Sequence, residues 1–419
     1  MKMLSSAAVT VKLDRKTGLL FNNPKHLIPF KDKEFSNIKT TVTTSLMEKR
    51  TEVVNDITIF PVQQHCEGSC IYCINDSNDK RSYKVLTLEK VEKEINYLKE
   101  NSLIRDYCKV QLLGGDPILH PNLEDVISTI SELLENTKIV LTIFSSFFTE
   151  EDRNKLDKIV KKVIDLPNIE MLRVIITLDL GAVTRKSNVN KISHSNVKDN
   201  SLTIINKYRG YEKVQLHVHS NLSVFTKPKI LKDELNTFLN EDVLITLQPV
   251  YTTKRLRVPL ETVKEIIEML ENNFEIAGSI SQRKIVIKNG YFLNTNLTGF
   301  KLNIIELIPD ELYLPNPVSH VCSAFKSKYG FSQTEYIACS FGFFKLQDRE
   351  QLLQPDLAII DEFRNSKIDK CDNCEIYSLC PSSICTKKKV KCDNSLEYYF
   401  KYITKKNLEN KELLEIENR

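Results

Sequence analysis

A chain of 419 residues, 41% hydrophobic and 27% charged, has the make-up of a globular protein with a sizeable core and room for more than one domain. Its net charge of +4 is too small to indicate a nucleic-acid partner, though it permits an acidic peptide. No apolar run approaches a membrane span and the first residues lack the apolar core of a signal peptide. Eleven cysteines in that setting lead us to expect metal-bound thiolates in a reducing cytoplasm rather than disulfides.

Residues 1–55 open with two apolar runs on either side of Lys16-Thr17-Gly18, which predicts a β-hairpin capping whatever follows. From residue 56 onward apolar runs alternate with amphipathic segments, the pattern of a parallel sheet with crossover helices. Strands are expected at 57–62, 110–113, 139–144, 172–178, 214–218 and 243–247. Helical spacing falls near 88–102, 122–136, 150–165, 197–208, 229–240 and 260–274. Six such strand–helix units predict an α/β fold, either a partial barrel or a doubly wound sheet, and periodicity does not choose between the two. The polar stretch 182–203 reads as a loop over the strand ends, a lid or a plain connection.

The first expected strand runs into Cys66-Glu67-Gly68-Ser69-Cys70-Ile71-Tyr72-Cys73. Its cysteines then lie in a loop at the C-terminal strand end, where such folds place their chemistry. An iron–sulfur cube usually takes four cysteines, so three from one loop leave one iron open. A structural zinc knuckle is the bland alternative, but zinc ribbons pair well-separated knuckles and no fourth ligand stands nearby. Other strand ends carry Ser145 and Ser146, Asp179, Asn221 and Gln248. His217 and His219 alternate onto one face of the fifth strand and are expected as a satisfied core pair rather than ligands. Cys108 reads as a buried small residue.

Cys66, Cys70 and Cys73, with the aromatic Tyr72 before the third cysteine, resemble the motif of the radical S-adenosylmethionine (SAM) enzymes. Leu113-Gly114-Gly115-Asp116-Pro117 is similar to that family's glycine-rich turn, with Asp116 where a glutamate is commoner. The resemblance implies a six-unit partial barrel and a [4Fe–4S] cluster on the three cysteines, whose open iron chelates S-adenosylmethionine. Reductive cleavage then yields a 5′-deoxyadenosyl radical that abstracts hydrogen from substrate. It further implies that Gly114, Gly115, Asp116 and Pro117 hold the methionine moiety, and that Ser145 and Ser146 hold the ribose. Asp179, in Thr177-Leu178-Asp179-Leu180-Gly181, resembles a stretch common in peptide-modifying members and is the candidate catalytic residue.

Seven further cysteines lie at 322–392, and the crowded Cys371-x2-Cys374-x5-Cys380-x4-Cys385 suits iron–sulfur cubes. The knuckles of a zinc ribbon stand roughly 12–20 residues apart. The set resembles the SPASM extension of peptide-maturing radical SAM enzymes. That likeness implies one auxiliary cluster on Cys371, Cys374, Cys380 and Cys392 and another on Cys322, Cys339 and Cys385. The x4 spacing before Cys385, a missing glycine and the early Cys392 leave one cluster or two open.

The expected domains are a hairpin extension (1–55), a radical SAM partial barrel (56–274), a bridge (275–320) closing at Leu314-Pro315-Asn316-Pro317, a SPASM-like domain (321–395) and a C-terminal helical tail (396–419). The resemblance implies maturation of a ribosomally made precursor peptide by cross-linking or a related modification, with flavodoxin or ferredoxin as reducing partner. Two alternatives stand beside it. One is a sulfatase-type maturase that oxidises a protein Cys or Ser with Asp179 as base. The other is a non-catalytic iron–sulfur or zinc scaffold.

Overall fold

The computed structural model describes residues 8–13, 16–21, 27–28, 54–63, 65–68, 70, 72–73, 83–182, 192–239, 243–250, 254–273, 276–277, 285–287, 328–337, 345–353, 393–399 and 402. All seven C-terminal cysteines lie outside the described residues, as does the Leu314-Pro315-Asn316-Pro317 boundary. Two compact units divide the chain: Met1–Thr51 with Tyr251–Lys326 and Pro355–Arg419, and Glu52–Val250 with Ser327–Gln354.

The first unit contains the expected hairpin. Strands β1 (Ala8–Leu13) and β2 (Lys16–Phe21) pair antiparallel, and β3 (Leu27–Ile28) adds to β2.

The second unit is built on β4 (Val54–Gln63), β6 (Ile104–Gly114), β7 (Lys138–Ser145), β8 (Ile169–Thr177), β9 (Val214–Leu222) and β10 (Leu244–Pro249), each parallel to the next. Between them run α1 (Leu88–Glu100), α2 (Leu123–Leu133), α3 (Glu150–Asp165), α4 (His194–Tyr208) and α5 (Pro228–Leu239). A parallel neighbour needs a crossover, and each helix supplies one. A short β5 (Lys84–Val85) pairs antiparallel with the end of β4. The fold is an α/β half-barrel whose sheet does not close.

Why the sheet takes this form is visible in its period-two pattern. Ile57 and Ile59, Val110 and Leu112, Leu141 and Ile143, and Leu172 and Val174 point one way and are 0–1% exposed, packed beneath the helices. Removing each such side chain from water contributes about 1.5–3 kcal/mol. Their neighbours on the opposite, inner face are largely polar: Asp56, Thr58, Gln111, Thr142, Arg173, Thr177 and His217. A parallel sheet with two apolar faces would serve only as a core; this one keeps a polar interior.

The helices begin where local chemistry dictates. Thr87 caps α1 by accepting the Lys90 amide at 3.2 Å. Thr149 and Asp152 form a reciprocal capping box at α3, with bonds of 2.9 and 3.1 Å. At Ser193 a second such box with Asn196 starts α4, so the polar stretch expected as a loop to 203 is helical from His194. Val197, Ser201, Ile204, Ile205 and Tyr208 bury at helical spacing, and that apolar stripe overrides the polar composition. Beyond β4 the sheet gains a parallel edge strand, β13 (Lys328–Phe331), followed by antiparallel β14 (Tyr336–Ile337) and β15 (Lys345–Leu346), then α7 (Arg349–Leu353). To complete the chain-order numbering, α6 (Leu260–Asn273), β11 (Ile276–Ala277) and β12 (Ile285–Ile287) belong to the first unit. Among the described residues no helix is long and apolar enough to cross a membrane.

Candidate radical SAM site

The site is made where the ends of β4 and β6 are drawn together. After β6, Gly115 N–H donates to the Val62 carbonyl at 2.9 Å and Asp116 N–H to the His65 carbonyl at 2.8 Å. These bonds lay the Gly-Gly-Asp-Pro turn against the residues that enter the cysteine loop. Gly114 has φ +109°, and a Cβ on Gly115 would stand 1.9 Å from the His65 carbonyl oxygen. Only glycine permits that approach.

Within the loop, Cys70 is buried and Cys66 and Cys73 are half-buried. The Gly68 amide donates to Cys66 Sγ at 3.2 Å, and a turn is closed by Cys73 N–H to the Cys70 carbonyl at 3.1 Å. Burial first, then the charges of Asp116, Cys70 and Cys73, push the Cys66 thiol well up. A thiol held protonated in this way becomes a thiolate when metal cations lie beside it. No three acidic, histidine or cysteine side chains among the described residues converge on a single metal ion. A cube does not require that convergence, because its irons occupy separate corners and each cysteine takes a different one. The three soft donors on one short loop fit such a cluster.

Asp116 is 3% exposed. Its carboxylate accepts from the amides of Ile118 at 3.4 Å and Ser146 at 3.3 Å, and from the Ser145 side chain. Burial, reinforced by Asp152, pushes its pKa up to about 7 against the lowering effect of those hydrogen bonds. Ser146 Oγ meets Thr177 Oγ1 at 2.7 Å, and Thr177 donates to the Ser145 carbonyl at 3.2 Å. Asp116, Ser145 and Ser146, expected from separate strand ends, are therefore one hydrogen-bonded group. Pro117 opens the 3-10 turn Pro117–Leu119, which Asp116 caps.

Tyr72 and Asp179 are likewise brought together. Both are buried, and the Tyr72 hydroxyl donates to Asp179 Oδ2. The loop carrying Asp179 is fixed on either side by Leu178 N–H to the His219 carbonyl at 3.0 Å and Leu180 N–H to Ser220 Oγ at 2.8 Å. Of the expected core pair, His217 is 8% exposed and bonds to Thr246 Oγ1, while His219 is only half-buried. Asn221 lies half-buried at the end of β9, and Gln248 on β10. Cys108 is fully buried, and its burial pushes its thiol far up.

Sequence reasoning missed three contributors. Phe148 packs so closely on Gly68 that a Cβ there would lie 3.0 Å from its ring. Phe147 takes the left-handed region at φ 49°, turning the chain sharply after Ser146. Asn200, on α4, holds both phenylalanine carbonyls at 3.1 and 2.9 Å. The Ser-Ser-Phe-Phe run was visible, but nothing in its local pattern connects it to an asparagine fifty residues on.

A parallel α/β half-barrel with three cysteines after its first strand, and a glycine turn after its second, is the build of a radical SAM domain. Residues 60–225 match the family model of the Radical SAM superfamily. In solved structures the fold is similar to anSMEcpe with bound AdoMet (17% identity, TM-score 0.55, 87% of this chain and 99% of that one). It is also similar to Streptococcus suis SuiB bound to precursor peptide SuiA (13% identity, TM-score 0.51, 88% of this chain and 80% of that one). No curated protein matches the chain by sequence.

Proposed function

We propose that this chain is a radical SAM peptide maturase. The observation that carries the proposal is the junction of Cys66, Cys70 and Cys73 with the Gly114–Pro117 turn at one end of the half-barrel. In this reading the three cysteines hold a [4Fe–4S] cluster, while Tyr72, Gly114, Gly115, Asp116, Pro117, Ser145 and Ser146 receive S-adenosylmethionine. When bound, the two supply an electron and a 5′-deoxyadenosyl radical that takes hydrogen from substrate.

The chain's own residues do the rest. Asp116, held near pKa 7 by burial, offers an anionic partner that an arriving ammonium group would stabilise. Ser145 and Ser146 present hydroxyls fixed by Asp116 and Thr177, ready for a polar ligand. Phe148, 1% exposed and packed on Gly68, excludes water from one side of the cysteine loop. Asp179 is the proton acceptor of the substrate step, oriented by the Tyr72 hydroxyl. Cys322, Cys339, Cys371, Cys374, Cys380, Cys385 and Cys392 hold one or two auxiliary clusters that take up the surplus electron.

A peptide substrate is supported by the likeness of fold to SuiB, solved with its precursor peptide. Asp179→Asn tests the assignment. The amide oxygen still accepts from Tyr72, but no proton can be taken. We expect a folded protein that cleaves S-adenosylmethionine without modifying peptide. Deuterium passing from labelled peptide into 5′-deoxyadenosine reads out the coupled step, and undiminished peptide product from Asp179→Asn would remove Asp179 from the reaction.

A further inference from the structure

Midway along the strands, on the inner face, Thr58, Gln111, Thr142, Arg173 and Gln215 stand in one register row from β4 to β9. Two features of this row go unused by the fold. The hydroxyls of Thr58 and Thr142, on side chains 0% and 1% exposed, have no hydrogen-bond partner. Arg173, directly beside Thr142, donates from Nε to Gln215 Oε1 at 2.6 Å, a neutral acceptor. Among the described residues no carboxylate faces its half-buried guanidinium; burial depresses its pKa, and Tyr107 partly offsets that. The acid one pleat away is already engaged: Asp56 accepts from Gln111 Nε2 at 2.8 and 3.0 Å and stands in register with Lys109. Asp56 and Lys109 offset each other in formal charge, which leaves Arg173 as the unmatched cation of the row.

Buried donors without acceptors and a half-buried guanidinium without an anion both oppose folding, and their coincidence marks a place built for a ligand. We propose that this row is a carboxylate-binding site inside the half-barrel, with Arg173 providing charge and a planar pair of donors and the neighbouring Thr142 hydroxyl completing it. Its occupant is a carboxylate of the substrate, from an acidic side chain or a chain terminus. Arg173 lies four residues before Thr177 on the same face, so the anion would sit about 13 Å along the strand from the Ser146 hydroxyl. That spacing anchors one part of an extended peptide while another reaches the strand ends. The identity of the occupant rests on the maturase reading; the presence of an anion site does not.

The test is a calorimetric titration of the full-length protein with glutarate and with its uncharged diamide, glutaramide. Saturable binding of glutarate alone is expected. Arg173→Gln should weaken it about tenfold or more, and Thr142→Val, which keeps the shape and removes the hydroxyl, several-fold. Arg173→Met should abolish binding without lowering the melting temperature, since it removes a charge that opposes folding. A tripeptide amide containing one aspartate and an acetylated triglycine with a free carboxylate separate the two sources of the anion. Equal binding of glutaramide, glutarate binding indifferent to Arg173→Gln, or no binding of any carboxylate would overturn the site. Loss of peptide modification with carboxylate binding intact would count against the maturase reading alone.

Discussion

Gly115 shows how one residue couples backbone to chemistry. With 1.9 Å between a hypothetical Cβ and the His65 carbonyl oxygen, the obstacle is backbone and cannot swing away. Gly115→Ala must therefore part the β6 turn from the cysteine loop. We expect it to cost about 1–3 kcal/mol of stability and to cut iron loading of the first cluster. Thermal denaturation and iron analysis check this; normal loading in the variant would show that the turn does not shape the loop. At this scale the sequence was informative wherever chemistry is local. The cysteine spacing and the Gly-Gly-Asp-Pro turn could be read directly, because each contains its function within a few residues. The partners of Asp116 could not, since Ser145 and Ser146 reach it only once β7 lies beside β6.

Among elements, the edge of the sheet depends on one buried acid. Glu94 of α1 is 0% exposed and receives Lys90 Nζ at 2.8 Å, Arg349 Nε and Nη2 at 3.0 Å each, and the hydroxyls of Tyr336 at 2.9 Å and of Tyr329. These contacts tie α1 to β13, β14 and α7. Burial alone would raise the Glu94 pKa, but hydrogen bonds from Arg349, Lys90 and Tyr329 outweigh it and hold the carboxyl below its ordinary value. A depressed folded pKa means the stabilisation is complete above the ordinary glutamate range and is lost as pH falls through the depressed value. Glu94→Gln should cost about 3–5 kcal/mol at neutral pH and flatten the acid limb of the stability curve. Denaturant unfolding across that pH range measures both, and an unchanged acid limb would contradict the role assigned to Glu94.

The six parallel strands and their helices were legible because each carries a sustained period. β13, β14 and β15 span four, two and two residues, too few for any period to declare itself. Their place on the edge of β4 is decided by Glu94, far away in sequence. The start of α4 was hidden differently, by a polar composition that suits a loop but also supplies the Ser193–Asn196 cap.

For the whole molecule, the proposal divides labour between the half-barrel, which makes the radical, and the C-terminal cysteines, which help use it. Three cubes imply about twelve irons per chain, and a single auxiliary cluster about eight. Stoichiometric zinc beside about four irons would make the C-terminal cysteines a zinc module. Replacing Cys371 and Cys374 together should end peptide modification while slow cleavage of S-adenosylmethionine continues. Because cluster ligation can contribute folding energy, gel filtration and circular dichroism belong with that assay. Normal peptide product from the double variant would assign those cysteines a purely structural part.

The proposed function depends on the three cysteines that follow β4 forming a reducible cluster. The direct measurement is formation of 5′-deoxyadenosine and methionine from S-adenosylmethionine by the anaerobically reconstituted, reduced protein, beside Cys70→Ala. We predict cleavage by the unaltered protein and none by the variant, with both showing the same circular dichroism. Cleavage at the full rate by Cys70→Ala, or none by the fully iron-loaded unaltered protein, would contradict the account.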